Sequence, residues 1–325
     1  MSTLLITGTG SLAKRIMYRC RDKYDKIVAY SRDEYKHTLL PSWVTSEIGD
    51  IRDYDRLDFV FKSHKPDVVI ATSALKHVNL SEHYPMEFVK TNIIGTDNTA
   101  RACHLNGVKK ALFINTDKSV SPVSTYGSSK QIARSIWTDF ASRSNTTFLS
   151  VLYPNVLKSR GSIVPIWETR LLNGETLTLT HEDCTRFMFT LDDSVTLIEH
   201  ALDYGLAGDC IVPVMDSFKM LDVIKALAII HNKEPQVNIE NKLRPGEKLH
   251  EEMMTEMEMD RSYYLEVSYD TYNKNYLNIV PTIPMKYKRV FKSGQKYFGK
   301  VLRSDNFINE NIEDLVALIN KSYVD

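Results

Sequence analysis

Only four cysteines occur in 325 residues, and Cys20, Cys103, Cys184 and Cys210 are too scattered for a disulfide scaffold or a CxxC pair. The nine histidines form no HxH or HExxH cluster, so no zinc motif is legible. Net charge is missing too. Its 41 basic and 41 acidic residues balance, giving no pull toward nucleic acid or an anionic membrane. No run approaches the ~20 apolar residues of a spanning helix. The chain also enters an apolar strand without the basic region and cleavage site of a signal peptide. These absences predict a soluble cytoplasmic protein with no metal, nucleic-acid or membrane partner.

The remaining composition is that of a globular protein, with 43% apolar and 25% charged residues. At this length a large domain with a smaller appendage is expected. Apolar strands are predicted at 3–7, 26–30, 44–48, 68–71, 110–115 and 147–152. Helices are predicted between them at 11–19, 54–62, roughly 83–104, and 124–142. Strands alternating with helices predict a doubly wound, Rossmann-like parallel α/β sheet. Beyond residue 153 short strands (176–180, 187–191, 210–214) mix with helices (193–202, 220–230). The expected organisation is a nucleotide-binding domain over 1–153, with part of 190–240 returning to it. Residues 154–325 form mainly a smaller α/β substrate lobe.

The first strand runs into Thr7-Gly8-Thr9-Gly10-Ser11-Leu12-Ala13, a glycine turn that opens a helix. Backbone N–H groups and the helix dipole there favour a pyrophosphate, and Ala13 stands in for a third glycine. The second strand ends in Tyr30-Ser31-Arg32-Asp33, with Lys36 close behind. Serine and arginine at that tip suit a 2′-phosphate, which favours NADP over NAD. Gly49-Asp50-Ile51 follows the third strand, where a carboxylate reaches an adenine amino group. Helix capping by Asp50 or Asp53 is the equal alternative.

The chemistry-bearing cluster is Thr116-Asp117-Lys118, followed by Tyr126-Gly127-Ser128-Ser129-Lys130. Tyrosine and lysine four apart share one helix face. An ammonium beside the phenol is expected to lower its pKa and make Tyr126 a proton acceptor near neutral pH. Asp117 and Lys118 add a second acid and a second amine. Lys118 can serve as a base where burial or nearby cations such as Lys130 or Lys76 lower its pKa.

With these motifs the chain resembles the extended short-chain dehydrogenase/reductases. Within them it resembles the UDP-N-acetylglucosamine 4,6-dehydratases that invert carbon 5. The matching segments include Tyr30-Ser31-Arg32-Asp33-Glu34, Ala74-Leu75-Lys76-His77-Val78, Lys90-Thr91-Asn92-Ile93 and Asn115-Thr116-Asp117-Lys118. Others are Ser159-Arg160-Gly161-Ser162, Thr185-Arg186-Phe187, Arg244-Pro245-Gly246-Glu247-Lys248-Leu249-His250-Glu251 and Ser304-Asp305-Asn306. The chain departs from the family in a first turn one residue short, and in Leu152, Pro154 and Lys158, which replace an arginine and two glycines.

The resemblance implies a three-stage reaction. Tyr126, assisted by Lys130 and Thr116, takes the proton of the sugar 4-hydroxyl as hydride leaves carbon 4. Lys118 then removes the carbon-5 hydrogen while Asp117 protonates the departing 6-hydroxyl. Hydride returns to carbon 6, and carbon 5 is reprotonated from the opposite face. Ser73, Lys76 and Asn92 are implied along the cofactor, and Lys76, Asn155, Arg186, Arg244 and Glu247 around the UDP-sugar. A homo-oligomer through the helices near 83–104 and 124–142 is implied as well. Configuration-retaining dehydratases carry Asp-Glu in place of Asp117-Lys118, and 4-epimerases have neither group. A UDP-sugar 4-epimerase and a non-catalytic NADP-binding sensor or scaffold are the alternatives.

Overall fold

The computed structural model describes residues 2–159, 161–268, 271–282 and 295–323. Arg160, part of one segment that carries the resemblance, lies outside them. Six parallel strands form the heart of the fold: β1 (Thr3–Thr7), β2 (Lys26–Ser31), β3 (Val44–Ile48), β4 (Val68–Ala71), β5 (Lys110–Thr116) and β6 (Thr147–Tyr153). Their near-continuous apolar runs reflect a sheet covered on both faces, and all five β1 residues are buried. Between them lie α1 (Ser11–Cys20), α2 (Glu34–Thr38), α3 (Tyr54–His64), α4 (Val78–His83), α5 (Pro85–Phe88), α6 (Gly95–Leu105) and α7 (Thr125–Arg143). Helix α1 turns Ala13, Ile16, Met17 and Cys20 inward, at the spacing of one apolar stripe.

One layer of core packs between β1, β2, β5 and β6, helix α1 and the later helix Leu191–Tyr204, and a second packs against α3, α6 and α7. In the second, the Trp137 ring centroid lies 5.5 Å from Phe113 and 5.0 Å from Phe148. Each such aromatic pair contributes about 0.5–1.5 kcal/mol beyond area burial.

The remaining elements are β7 (Asn155–Val156), α8 (Ile163–Leu172), β8 (Leu177–Leu179), β9 (Thr185–Phe189), α9 (Leu191–Tyr204), β10 (Cys210–Pro213), β11 (Ser217–Lys219), α10 (Met220–His231), β12 (Val237–Ile239), α11 (Glu256–Met259), β13 (Ser262–Ser268), β14 (Thr271–Ile279) and α12 (Ile312–Lys321). The large sheet has nine strands in the order β13-β14-β10-β6-β5-β4-β1-β2-β3. β10 joins parallel to β6, and β14 closes antiparallel on β10. Small sheets β11-β9-β7 and β12-β8, with α8, α10 and α12, surround a third core that holds Trp167.

One helix was expected over 83–104, and the structure corrects it. Pro85 cannot continue the turn before it, so α4 stops at His83 and a new helix starts. That helix passes through a π-helical stretch, Val89–Ile94, before α6. Lys158 has φ +52°, the left-handed backbone that the family's glycine at that position favours. Leu152 is fully buried in the core. All four cysteines are buried and free. Among the described residues no helix is long and apolar enough to cross a membrane, and no His/Cys/Asp/Glu group could hold a metal ion.

Candidate active site

The cofactor candidates gather at the carboxyl ends of the parallel strands, where open α/β sheets bind ligands. Gly8 has φ +129°, and a β-carbon there would collide with the Thr72 hydroxyl oxygen. Its N–H donates to Tyr30 O at 2.7 Å, which pins the turn to β2. Gly10 caps α1 without a side-chain hydrogen bond, and a β-carbon there would meet nothing within 4 Å. The first N–H groups of α1, from Ser11 and Leu12, thus face open space suited to a dinucleotide pyrophosphate. Buried Thr7 lies beneath, its hydroxyl accepting from Ser73 N–H at 3.5 Å.

At the end of β2, Ser31 Oγ lies 2.9 Å from both Thr9 Oγ1 and His37 Nε2. His37 also reaches Ser46 Oγ at 2.8 Å. Nothing in the spacing of the sequence singled out this histidine. Arg32 is half-exposed and lies 3.4 Å from Asp50, and Lys36 is paired with Asp33. The capping alternative falls to Asp53, which accepts from Arg56 N–H at 3.0 Å. Asp50 instead binds Arg52, whose hydrogen bonds hold its pKa below the usual carboxylate range although burial opposes them.

Two cofactor candidates turn inward. Ile51 is buried against Gly95. Asn92 is fully buried and spends its carboxamide on the protein, accepting from Leu75 N–H at 2.8 Å and donating to Leu75 O and Ser129 Oγ at 3.0 Å. It fastens the β4–α4 loop to α7. Lys76, on that loop, is half-buried, and burial lowers its pKa.

Thr116 ends β5, and Asp117–Ser119 form one 3₁₀ turn after it. Helix α7 starts on Ser124, whose hydroxyl accepts from Gly127 N–H at 3.1 Å. A β-carbon on Gly127 would collide with the Lys118 carbonyl, so this glycine lets α7 press Tyr126 against the Asp117–Lys118 turn. Asp117 is fully buried. Its Oδ1 accepts from Thr116 Oγ1 and Lys118 N–H, both at 2.8 Å, and from Lys118 Nζ at 3.1 Å. Its Oδ2 is buried with no hydrogen-bond partner among the described residues.

The electrostatics differ from the expectation at three groups. Burial raises the Tyr126 pKa, although Thr116 and Lys118 pull the other way. Lys130 does not supply the ammonium. Its Nζ donates to Ile114 O at 2.6 Å and sits 3.9 Å from the Phe113 ring centroid, and burial drops its pKa to about 7. A base role for Lys118 called for a lowered pKa. Burial and Arg186 do push that way, but the carboxylates of Asp117 and Glu251 outweigh them and raise it. Burial, reinforced by Glu251, raises Asp117.

Lys118, Asn155, Arg186, Arg244, Glu247 and Glu251 line the polar side of one cavity, and Trp167, Leu179 and Met188 line its apolar side. Asn155 Oδ1 accepts from Lys118 Nζ at 3.3 Å. Arg186 is buried and donates to the carbonyls of Thr185, Lys248 and Leu249 and to Glu247 Oε1 at 3.3 Å. Arg244 is exposed at the rim, so the two arginines share the cavity from different depths. Glu251 was not assigned a role from sequence, although it ends the Arg244–Glu251 segment.

The pattern of the family described as "Polysaccharide biosynthesis protein" matches residues 4–272. The chain belongs to that family. An inverting UDP-N-acetylglucosamine 4,6-dehydratase of Campylobacter jejuni is 35% identical over 87% of this chain and 84% of its own. A UDP-glucose 4-epimerase of Rickettsia bellii is 34% identical over 99% of this chain and 96% of its own. The crystal structure of Pen from Bacillus thuringiensis superposes with a TM-score of 0.88 at 29% identity, covering 99% of this chain and 98% of that one. This polysaccharide biosynthesis protein therefore shares its family with nucleotide-sugar dehydratases and epimerases of the extended short-chain dehydrogenase/reductase fold.

Proposed function

We propose that the protein is a lyase, a UDP-N-acetylglucosamine 4,6-dehydratase that inverts carbon 5. Buried Asp117 paired with half-buried Lys118 beside Tyr126, Lys118 lining the cavity with Arg186 and Arg244, carries this reading. Elimination needs an acid and a base, and a 4-epimerase needs neither. NADP, when bound at the Gly8–Leu12 turn, supplies the acceptor and donor of hydride, and Ser31, Arg32 and Lys36 are placed for its 2′-phosphate. Tyr126 as phenolate, a form that burial in the cofactor-free fold disfavours, would take the proton of the sugar 4-hydroxyl, with Thr116 bonding the same oxygen, and Lys130 would hold the nicotinamide ribose.

The working state for elimination is a neutral Lys118 amine beside a protonated Asp117. The resting ion pair reaches it by one proton shift across their 3.1 Å contact, with no change in the charge of the site. Burial of Asp117, and its unpartnered Oδ2, favour the protonated acid. Arg186 and Arg244 take the diphosphate, and Asn155, Glu247 and Lys76 border the sugar.

Purified protein given UDP-N-acetylglucosamine, without added cofactor, is expected to yield a product lighter by one water. No water loss across several UDP-sugars overturns the proposal. Tyr126→Phe is expected to abolish turnover with NADP still bound, and Lys118→Ala to stop elimination while allowing some oxidation at carbon 4. The epimerase reading draws on the Rickettsia relative and on the Tyr126–Lys130 pair, which serves both chemistries. Deuterium entering carbon 5 from heavy water excludes it.

A further inference from the structure

Glu251 reaches the catalytic turn from far along the chain and is 2% exposed. Its backbone is held on both sides, its N–H donating to Ser304 Oγ at 2.9 Å and its carbonyl accepting from Ser304 N–H at 2.8 Å. Oε1 lies 3.2 Å from Lys118 Nζ and 3.8 Å from Arg186 Nε. Oε2 is buried without a hydrogen-bond partner. Lys118 Nζ therefore has three oxygens around it, Asp117 Oδ1 at 3.1 Å, Glu251 Oε1 at 3.2 Å and Asn155 Oδ1 at 3.3 Å. Three acceptors match the three protons of an ammonium, and a neutral amine cannot satisfy them all. The other charged or titratable groups acting on this nitrogen are Arg186 and Tyr126, and Lys248 acts on Glu251.

We propose that Glu251 is a positioning residue for the elimination step, one of three acceptors that hold Lys118 Nζ at the cavity wall where it meets the carbon-5 proton. This rests on the dehydratase reading above. In that step the bond from carbon 5 to hydrogen breaks, and its electron pair forms the double bond to carbon 6. The bond from carbon 6 to oxygen breaks, and Asp117 gives its proton to that oxygen, which leaves as water. Lys118 gains one proton and Asp117 loses one, and Glu251 and Arg186 keep their charges. The ammonium is held alike in the resting ion pair and after proton transfer, so Glu251 contributes by fixing the position of the nitrogen and not by differential charge stabilisation. Glu251 touches no reacting bond and acts through Lys118.

The test is Glu251→Gln in the full chain with its cofactor. Water loss is expected to fall about a hundredfold as the weaker neutral acceptor lets Lys118 drift, while single-turnover oxidation at carbon 4 stays within about twofold, so reduced cofactor accumulates. The basic limb of the water-loss pH profile reports loss of the proton shared by Lys118 and Asp117. It is expected to move to lower pH, because the ammonium has lost a carboxylate neighbour. Glu251→Asp, which keeps the charge, is expected to restore the limb and part of the rate. A purely structural role slows both half-reactions together and leaves the limb in place, and that result overturns the proposal. If the glutamine variant does not fold, Glu251→Asp must slow water loss more than oxidation, and equal slowing or none overturns it. A wild-type protein that loses no water overturns the dehydratase reading and this assignment with it. A dehydrating wild type with an unchanged glutamine variant overturns this assignment alone.

Discussion

Lys130 is a buried amine that the cofactor-free fold holds at a cost, and removing it is expected to stabilise that fold. Burial lowers its pKa from 10.5 to about 7. At about 1.36 kcal/mol per pKa unit, this amounts to roughly 5 kcal/mol. Lys130→Met removes that cost and fills a similar volume. It also loses the hydrogen bond to Ile114 O and the contact with the Phe113 ring, each worth about 1 kcal/mol. The net gain at pH 7 is then about 2–3 kcal/mol, read from urea unfolding without cofactor. The sign with pH follows from proton binding. Above pH 10.5 the amine is neutral in both states and costs nothing, the cost grows as pH falls toward 7, and below 7 it is complete. The advantage of the methionine variant is therefore expected to shrink by about 1.4 kcal/mol for each pH unit from 7 to 9. An advantage independent of pH, or a variant less stable at both values, refutes the reasoning.

Two further substitutions probe the same site. Gly8→Ala forces a side chain into φ +129° and against Thr72. It is expected to cost about 1–3 kcal/mol and to weaken NADP binding at least about tenfold, as measured by fluorescence titration. Unchanged affinity contradicts the placement of the cofactor on this turn. Arg186→Ala removes the donor shared by two carboxylates and three carbonyls and takes the counter-charge from buried Glu251. The expected loss is about 3–5 kcal/mol in urea unfolding, and a loss below about 1 kcal/mol means the guanidinium is not holding the Glu247–Glu251 segment.

The parallel sheet was legible because its strands are buried on both faces. The run Thr3–Thr7 is a strand to the residue in sequence and structure alike. Helix starts were legible at Ser11, where the glycine turn ends, and to within one residue at Ser124, which the structure makes the cap. Segments whose fate depends on distant partners were not. The β13–β14 pair completes the large sheet because β10 offers it an edge, and nothing in its own pattern names that edge. The candidates Asp117, Lys118, Tyr126 and Lys130 could be named from the sequence, but their protonation could not. Lys118 is governed by Glu251, and Lys130 by the depth at which α7 lies on β5, and both are products of tertiary packing.

The π-helical stretch Val89–Ile94 makes chain length, more than residue identity, the constraint on this part of the protein. An α-helix advances about 100° per residue, so deleting one residue here rewinds the stretch and rotates one flank against the other by that amount. Asn92 would then swing away from Leu75 and Ser129, and the loop carrying Ser73 and Lys76 would lose its fastening to α7. Substitutions in Val89–Ile94 other than at Asn92 can be absorbed one at a time, whereas a single-codon deletion uncouples the β4 loop from the helix that carries Tyr126. Relatives that keep this loop docked should therefore keep the count of residues through the stretch even where its letters change.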